Sequence, residues 1–167
     1  MVSIEELKEL YNKDFPLWVE INLKLLKEKA YELVDWGNLL EEIEDMAKSD
    51  LRACISYLVV ILEHLYKWDN LRGLTKAGKE KGGISWVKSI EIARQRINRL
   101  LEEMPSLRTK LPQEVERAWK EASDNIQIWL MDVVKEPKKF PIPQKCPYTY
   151  EEAMTRDLRK ELEKWGQ

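Results

Sequence analysis

Residues 50–68 read DLRACISYLVVILEHLYKW, and this stretch decides the fold. Leu51, Cys54, Ile55, Leu58, Leu62 and Leu65 recur at helical spacing and make one apolar stripe. Tyr57, Ile61, His64 and Trp68 make a second stripe beside it. A helix apolar over so much of its circumference is expected at the centre of a bundle. Its longest unbroken apolar run, residues 57–62, is six residues, against the roughly 20 that a bilayer crossing needs.

Upstream of that helix, Ser3 with Glu6 reads as a capping box opening a short helix. Asp14 caps a second helix with Pro16 in its first turn, Phe15, Trp18, Ile21 and Leu25 on one face, and an end near Tyr31. Asp35-Trp36-Gly37-Asn38 is a break, and Asn38 with Glu41 restarts a helix to about Lys48; the spacing leaves open whether it bends at Ser49-Asp50. Downstream, residues 69–83 form a long glycine-containing loop, after which Ser85 is expected to cap a helix to Met104. In that helix Trp86, Ile90, Ala93, Ile97, Leu100 and Met104 form a coiled-coil-like seam. Pro112 opens a further helix to about Val134, with Val115, Ala118, Trp119, Ala122, Ile126, Trp129, Leu130 and Val133 inward. Residues 135–147 hold four of the seven prolines and predict an extended strap, with Phe140, Ile142 and Tyr148 offering apolar surface. Thr149 with Glu152 starts a last helix carrying Met154, Leu158, Leu162 and Trp165 inward. The expected fold is all-α: a single domain over residues 1–167, an antiparallel bundle of six or seven helices with the Pro-rich strap before the last one.

Composition agrees. Leu (22), Glu (22) and Lys (19) are strong helix formers, and only six Gly and four Thr are present among 167 residues, which argues against a turn-rich β-sandwich. The 44% hydrophobic content and seven Trp exclude disorder. Glu5, Glu6 and Glu9 stand where a leader would be basic and then apolar, and two cysteines give no disulfide framework. The expected compartment is therefore the cytoplasm, with no membrane partner. Abundant Lys and Glu with two Cys also suit a thermophilic source.

A net charge of −2 hides segregation. Residues 32–50 carry seven acids and one lysine, whereas residues 67–99 carry nine bases and three acids. In the acidic stretch Asn38, Glu41, Glu42 and Asp45 share a helical face. Clustered carboxylates hold divalent cations or raise one another's pKa, so Glu41, Glu42, Asp45 and the sole histidine, His64, form a candidate metal set. The matching catalytic set is His64 as general base or ligand with Glu41 and Glu42, and Lys67 neutralising a phosphate. Against this, no Glu-x-x-His repeat occurs, four acids in the first turns are what the helix dipole favours, and a lone histidine between apolar stripes is usually a core residue. A metal is not favoured. In the basic stretch Arg94, Arg96, Arg99, Lys76, Lys79 and Lys81 are candidate contacts for an anion or nucleic acid, or a solvated face.

Several short motifs follow one another: Leu10-Tyr11 with Asp14-Phe15 and Trp18; Asp35 with Asn38-Leu39 and Glu41-Glu42-Ile43-Glu44; His64-Leu65 with Lys67-Trp68; Ser85-Trp86; Gln95-Arg96; Pro105-Ser106-Leu107; Phe140-Pro141; and Cys146-Pro147-Tyr148. Over about residues 10–155 this ordered set resembles the bacterial and archaeal family called domain of unknown function 29. The resemblance implies an all-α fold and no settled activity. It singles out Asp14, Asn38, Glu41, Glu42, Glu44, His64, Lys67, Ser85, Gln95 and Arg96 as pattern residues; of these, Asp14, Asn38, Glu44, Ser85 and Gln95 read as a structural polar network. Where the family tends to carry a Glu-Thr pair late in the penultimate helix, this chain has Ile128-Trp129-Leu130-Met131; were that pair catalytic, this member would be inactive.

Two functions follow as expectations. The first is a non-catalytic helical module that binds a partner protein or assembles with itself; the second is a metal-dependent hydrolase, nuclease-like, using the Glu/Asp/His cluster and the basic patch. Whether the chain is an enzyme stays open at this level. The segregated charges also predict that Glu41 or Glu42 approaches Lys67 or Arg96, with Ser85 capping its own helix.

Overall fold

The computed structural model describes residues 2–165. The chain is all-α, with no strand among the described residues. It divides into two compact units, residues 1–49 and 50–167.

In the first unit, α1 (Ile4–Lys13) is capped by the Ser3 hydroxyl, which accepts the Glu6 N–H at 3.1 Å. α2 (Phe15–Lys27) is capped by Asp14, whose carboxylate accepts the Leu17 N–H at 3.2 Å, with Pro16 in the first turn where it displaces no bond. α2 stops about four residues earlier than the periodicity predicts. Lys29 turns left-handed (φ 58°) and the Ala30 N–H returns to the Leu25 carbonyl, closing the helix end. A 3-10 turn, Tyr31–Leu33, leads to α3 (Trp36–Asn70). Asp35, not Asn38, begins that helix: its carboxylate meets the Asn38 backbone N–H at 3.5 Å and the Asn38 side-chain amide at 2.7 Å.

α3 runs 35 residues without a break at Ser49-Asp50. No proline or glycine interrupts residues 38–70, and the apolar period simply continues past the two capping-type residues.

In the second unit α3 supplies the centre, as its double stripe predicts. Leu58, Ile61, Leu62 and Leu65 are fully buried, packed with Ile90 and Ile97 of α5 (Ile84–Glu103) and with Trp119 and Ile126 of α7 (Val115–Val133). Each such side chain contributes about 1.5–3 kcal/mol of transfer free energy. The loop at 69–83 is more ordered than its composition suggests. It holds a 3-10 turn at Arg72–Leu74 and a single turn, α4 (Lys76–Lys79), capped by Thr75. Two glycines explain its shape. A Cβ on Gly78 would collide with the Arg72 carbonyl and the Trp86 ring, and Gly83 (φ 74°) lies so close to Trp68 that a Cβ would come within 2.8 Å of its ring. Gly83, not Ser85, precedes α5, and Ser85 sits exposed in its first turn.

Beyond α5 come the single turn α6 (Leu107–Lys110), a 3-10 turn at Leu111–Glu114, then α7. Residues 134–149 contain only one 3-10 turn, Pro137–Lys139. Helix side chains hold this segment: Trp119 Nε1 donates to the Pro143 carbonyl at 2.9 Å, and Glu116 accepts the Cys146 N–H at 3.2 Å. Phe140 and Ile142 pack against the core and Tyr148 is buried, so the apolar surface expected here is spent inward. The last helix is two: α8 (Tyr150–Thr155), opened by the Thr149–Glu152 capping box, and α9 (Leu158–Trp165). Leu158 is buried and Met154 and Leu162 pack on the core; the side chain of Trp165 lies outside the described residues. Nine α-helical segments thus stand among the described residues where six or seven were expected, because single turns formed in two connections and the last helix divided in two.

Candidate functional site

Two places concentrate polar or exposed chemistry, one in each unit. In the second unit, the C-terminal half of α3 presents Glu63, His64 and Lys67 on successive turns. Their side chains are 15%, 17% and 8% exposed. His64 Nδ1–H donates to the Val60 carbonyl at 2.7 Å, which leaves Nε2 as the acceptor in the neutral ring. Glu63 Oε2 lies 3.7 Å from His64 Nδ1, and Glu63 Oε1 lies 4.0 Å from Lys67 Nζ. The Lys67 ammonium stands 4.5 Å from the centre of the Trp129 ring, which is edge-on to Trp86.

Burial moves all three groups toward neutrality. It pushes the Glu63 carboxyl up against the pull of Lys67, and pushes Lys67 down against the pull of Glu63. His64 is lowered by burial and by Lys67, which outweigh its bond to Val60. Such a cluster can hold or pass a proton, but its small exposed area gives a substrate little to touch.

Next to it, Asp69 forms a clamp that sequence reasoning missed. Arg156 grips its carboxylate with its two terminal guanidinium nitrogens at 2.6 and 2.8 Å, and the Tyr148 hydroxyl donates to it at 2.7 Å. Burial alone would raise the Asp69 pKa, but these bonds outweigh it and hold the carboxyl below its usual value. Arg156 also reaches Glu161 at 2.8 Å, and its carbonyl accepts from Arg94. No local spacing links Asp69 to residues 79 and 87 positions away; only the Tyr148 motif hinted at it.

In the first unit, Trp18 Nε1 donates to Asp35 at 3.0 Å, Asn22 bonds the Trp18 carbonyl at 2.8 Å, and the Asp35 N–H bonds the Asn22 amide oxygen at 3.0 Å. Asp35 and Asn22 are both buried. The Tyr11 hydroxyl donates to Glu42 at 2.5 Å; that bond, with burial and the nearby acids, pushes its pKa up to about 12. This polar spine braces α2 against the start of α3. Beside it lies a groove of about 430 Å³ lined by Phe15, Val19, Leu23, Leu26, Leu39, Ile43 and Met46, with Glu42 at its edge.

The expected site residues sort as follows. Asp14 caps α2 and Asn38 bonds Asp35. Glu41 and Glu44 are exposed, and so are Gln95, Arg96, Arg99, Lys76, Lys79 and Lys81. Arg94 is committed elsewhere: its guanidinium binds the carbonyls of Glu152, Ala153 and Arg156, closing the end of α8. The expected approach of Glu42 to Lys67 gives way to other partners: Glu42 serves Tyr11, and Lys67, 25 positions further along the same helix, meets Glu63 and Trp129. The metal set does not assemble. His64 follows Asp45 by 19 positions on one helix, about five turns. Among the described residues no three of His, Cys, Asp and Glu form a group that could hold a metal, so the metal-dependent hydrolase loses its support.

Compared with known proteins, residues 10–158 match the family described as domain of unknown function DUF29. The chain belongs to the DUF29 family. No curated protein and no solved structure matches it significantly. Within this DUF29 chain, the stretch Ile128 to Met131 places Trp129 beneath Lys67 and leaves Ile128 and Met131 exposed. No helix among the described residues is long and apolar enough to cross a membrane.

Proposed function

We propose that this DUF29 protein is a non-catalytic binding module whose working surface is the apolar side of residues 1–49. One observation carries the reading. Of the 15 large hydrophobic residues exposed among the described residues, 12 fall in that unit, Leu23, Leu40, Ile43 and Met46 among them. Apolar surface gathered in this way marks an interaction site, and a groove between two helices is the shape that accepts a partner's side chains. Two unpaired cysteines suit a reducing cytoplasm as its place of work.

Leu23→Glu combined with Met46→Glu tests this, since both side chains are exposed and the fold should survive. Wild-type protein is expected to capture a partner from host lysate, or to exceed its monomer mass in light scattering, and the double variant to do neither at unchanged helicity. A strictly monomeric wild type that captures the same proteins as the variant overturns the proposal.

A further inference from the structure

We propose that the groove between α2 and the first turns of α3 receives an amphipathic helix whose apolar face is bordered by lysines and arginines. This rests on residues 1–49 being a binding surface, and it names the occupant. The groove presents Phe15, Val19, Leu23, Leu39, Ile43 and Met46, with almost no polar lining apart from Glu42 and the amide of Asn22. Two parallel banks of aliphatic side chains match the i, i+3/i+4, i+7 anchors of a helix laid between them.

Charge selects which helix. Glu42 is the charged residue among those lining the groove, and the same turns of α3 carry Glu41, Glu44 and Asp45. The unit as a whole holds twelve acidic and six basic residues, net −6, whereas residues 50–167 are net +4. A second copy docking through this same face would bring its own −6 with it, and an anionic lipid surface or a nucleic acid would be repelled likewise. A cationic helix gains from Glu42 at the groove edge and from the net negative charge of the unit around it. Glu42 is pre-set for the role: its carboxylate is held at the groove edge by Tyr11, so less side-chain freedom is lost when a cation arrives.

The experiment uses the full chain and two dye-labelled helical peptides of identical leucine face, one bordered by lysines and one by glutamates, read by fluorescence anisotropy. The lysine peptide is expected to bind and the glutamate peptide not to. Glu42→Gln should weaken the lysine peptide about threefold, and added salt should weaken it further. Leu23→Glu with Met46→Glu should abolish binding. Equal binding of both peptides, or indifference to the Gln variant, overturns the cationic occupant while leaving the binding-module reading intact. Binding of neither peptide by a protein whose groove residues are protected within a dimer also overturns it and assigns the groove to a second copy. Binding of neither by a monomer in which the Leu23/Met46 variant alters no partner capture overturns both.

Discussion

Residues 36–49 and 54–68 lie on one helix, yet they meet opposite surroundings. All ten buried residues of α3 fall between Cys54 and Trp68, and none falls in its first four turns, where Leu40, Ile43 and Met46 are more than half exposed. Both stretches carry apolar residues at helical spacing, although the earlier one mixes them with four acids and Lys48. The supply of neighbours differs as well. The later stretch is covered by α5, α7 and the irregular segment before α8, while the earlier one is braced by α1 and α2 through a few polar bonds and leaves its other apolar side open. Apolar periodicity therefore reports that a face wants covering, not that the chain itself covers it.

The sharpest contrast concerns truncation. Trp119→Ala removes a fully buried ring and its bond to Pro143, and should cost about 3–5 kcal/mol. Met46→Ala, at 68% exposure, should cost no more than about 0.5 kcal/mol. Urea unfolding of the two variants checks this; similar losses would mean that the first unit packs as tightly as the second.

Next in size is the Asp69 clamp. Arg156 and Asp69 are 24% and 30% exposed, so Arg156→Ala should cost about 1–3 kcal/mol, between the surface and buried limits. A double-mutant cycle with Asp69→Asn should show positive coupling. The Tyr11–Glu42 bond is the counterpart in the first unit, and Glu42→Ala should be the milder change.

Acid titration gives a smaller effect with a defined sign. The folded-state pKa of His64 is depressed below the imidazole's usual 6.5 by burial and by Lys67. The unfolded chain therefore takes up a proton first as pH falls, and the stability His64 contributes above about pH 6.5 is lost below it. The single imidazole makes this readable by NMR, as a midpoint below 6.5, and the acid slope of stability should flatten in His64→Gln. A midpoint above 6.5 would mean that Glu63 governs the ring.

The subtlest test is alkaline. Tyr11, raised to about 12 chiefly by its bond to Glu42, keeps its proton in the folded state longer than in the unfolded one. Its contribution is present below pH 10 and lost between about 10 and 12. Glu42→Ala should return its ultraviolet titration toward the ordinary tyrosine range.

Much of the fold was legible in particular residues. The double stripe from Leu51 to Trp68, the seam from Trp86 to Ile97, and the caps at Ser3, Asp14 and Thr149 depend on contacts within a few positions, where spacing and geometry are nearly the same thing. The motif order that resembles DUF29 was equally a property of the chain. Tertiary structure decided the rest. It made Asp35 the cap and centre of a buried network, because Trp18 and Asn22 converge on it from another helix. It turned Arg94 from a free cation into the closure of α8, joined Asp69 to Arg156 across 87 positions, and kept His64 apart from the carboxylates that sequence had grouped with it. It also turned Phe140 and Tyr148 inward and left Ile43 and Met46 outside. The physical reason is common to all of these: hydrogen bonds, charge pairs and burial between distant segments depend on which surfaces meet, and a one-dimensional pattern states what each residue needs without stating which neighbour supplies it.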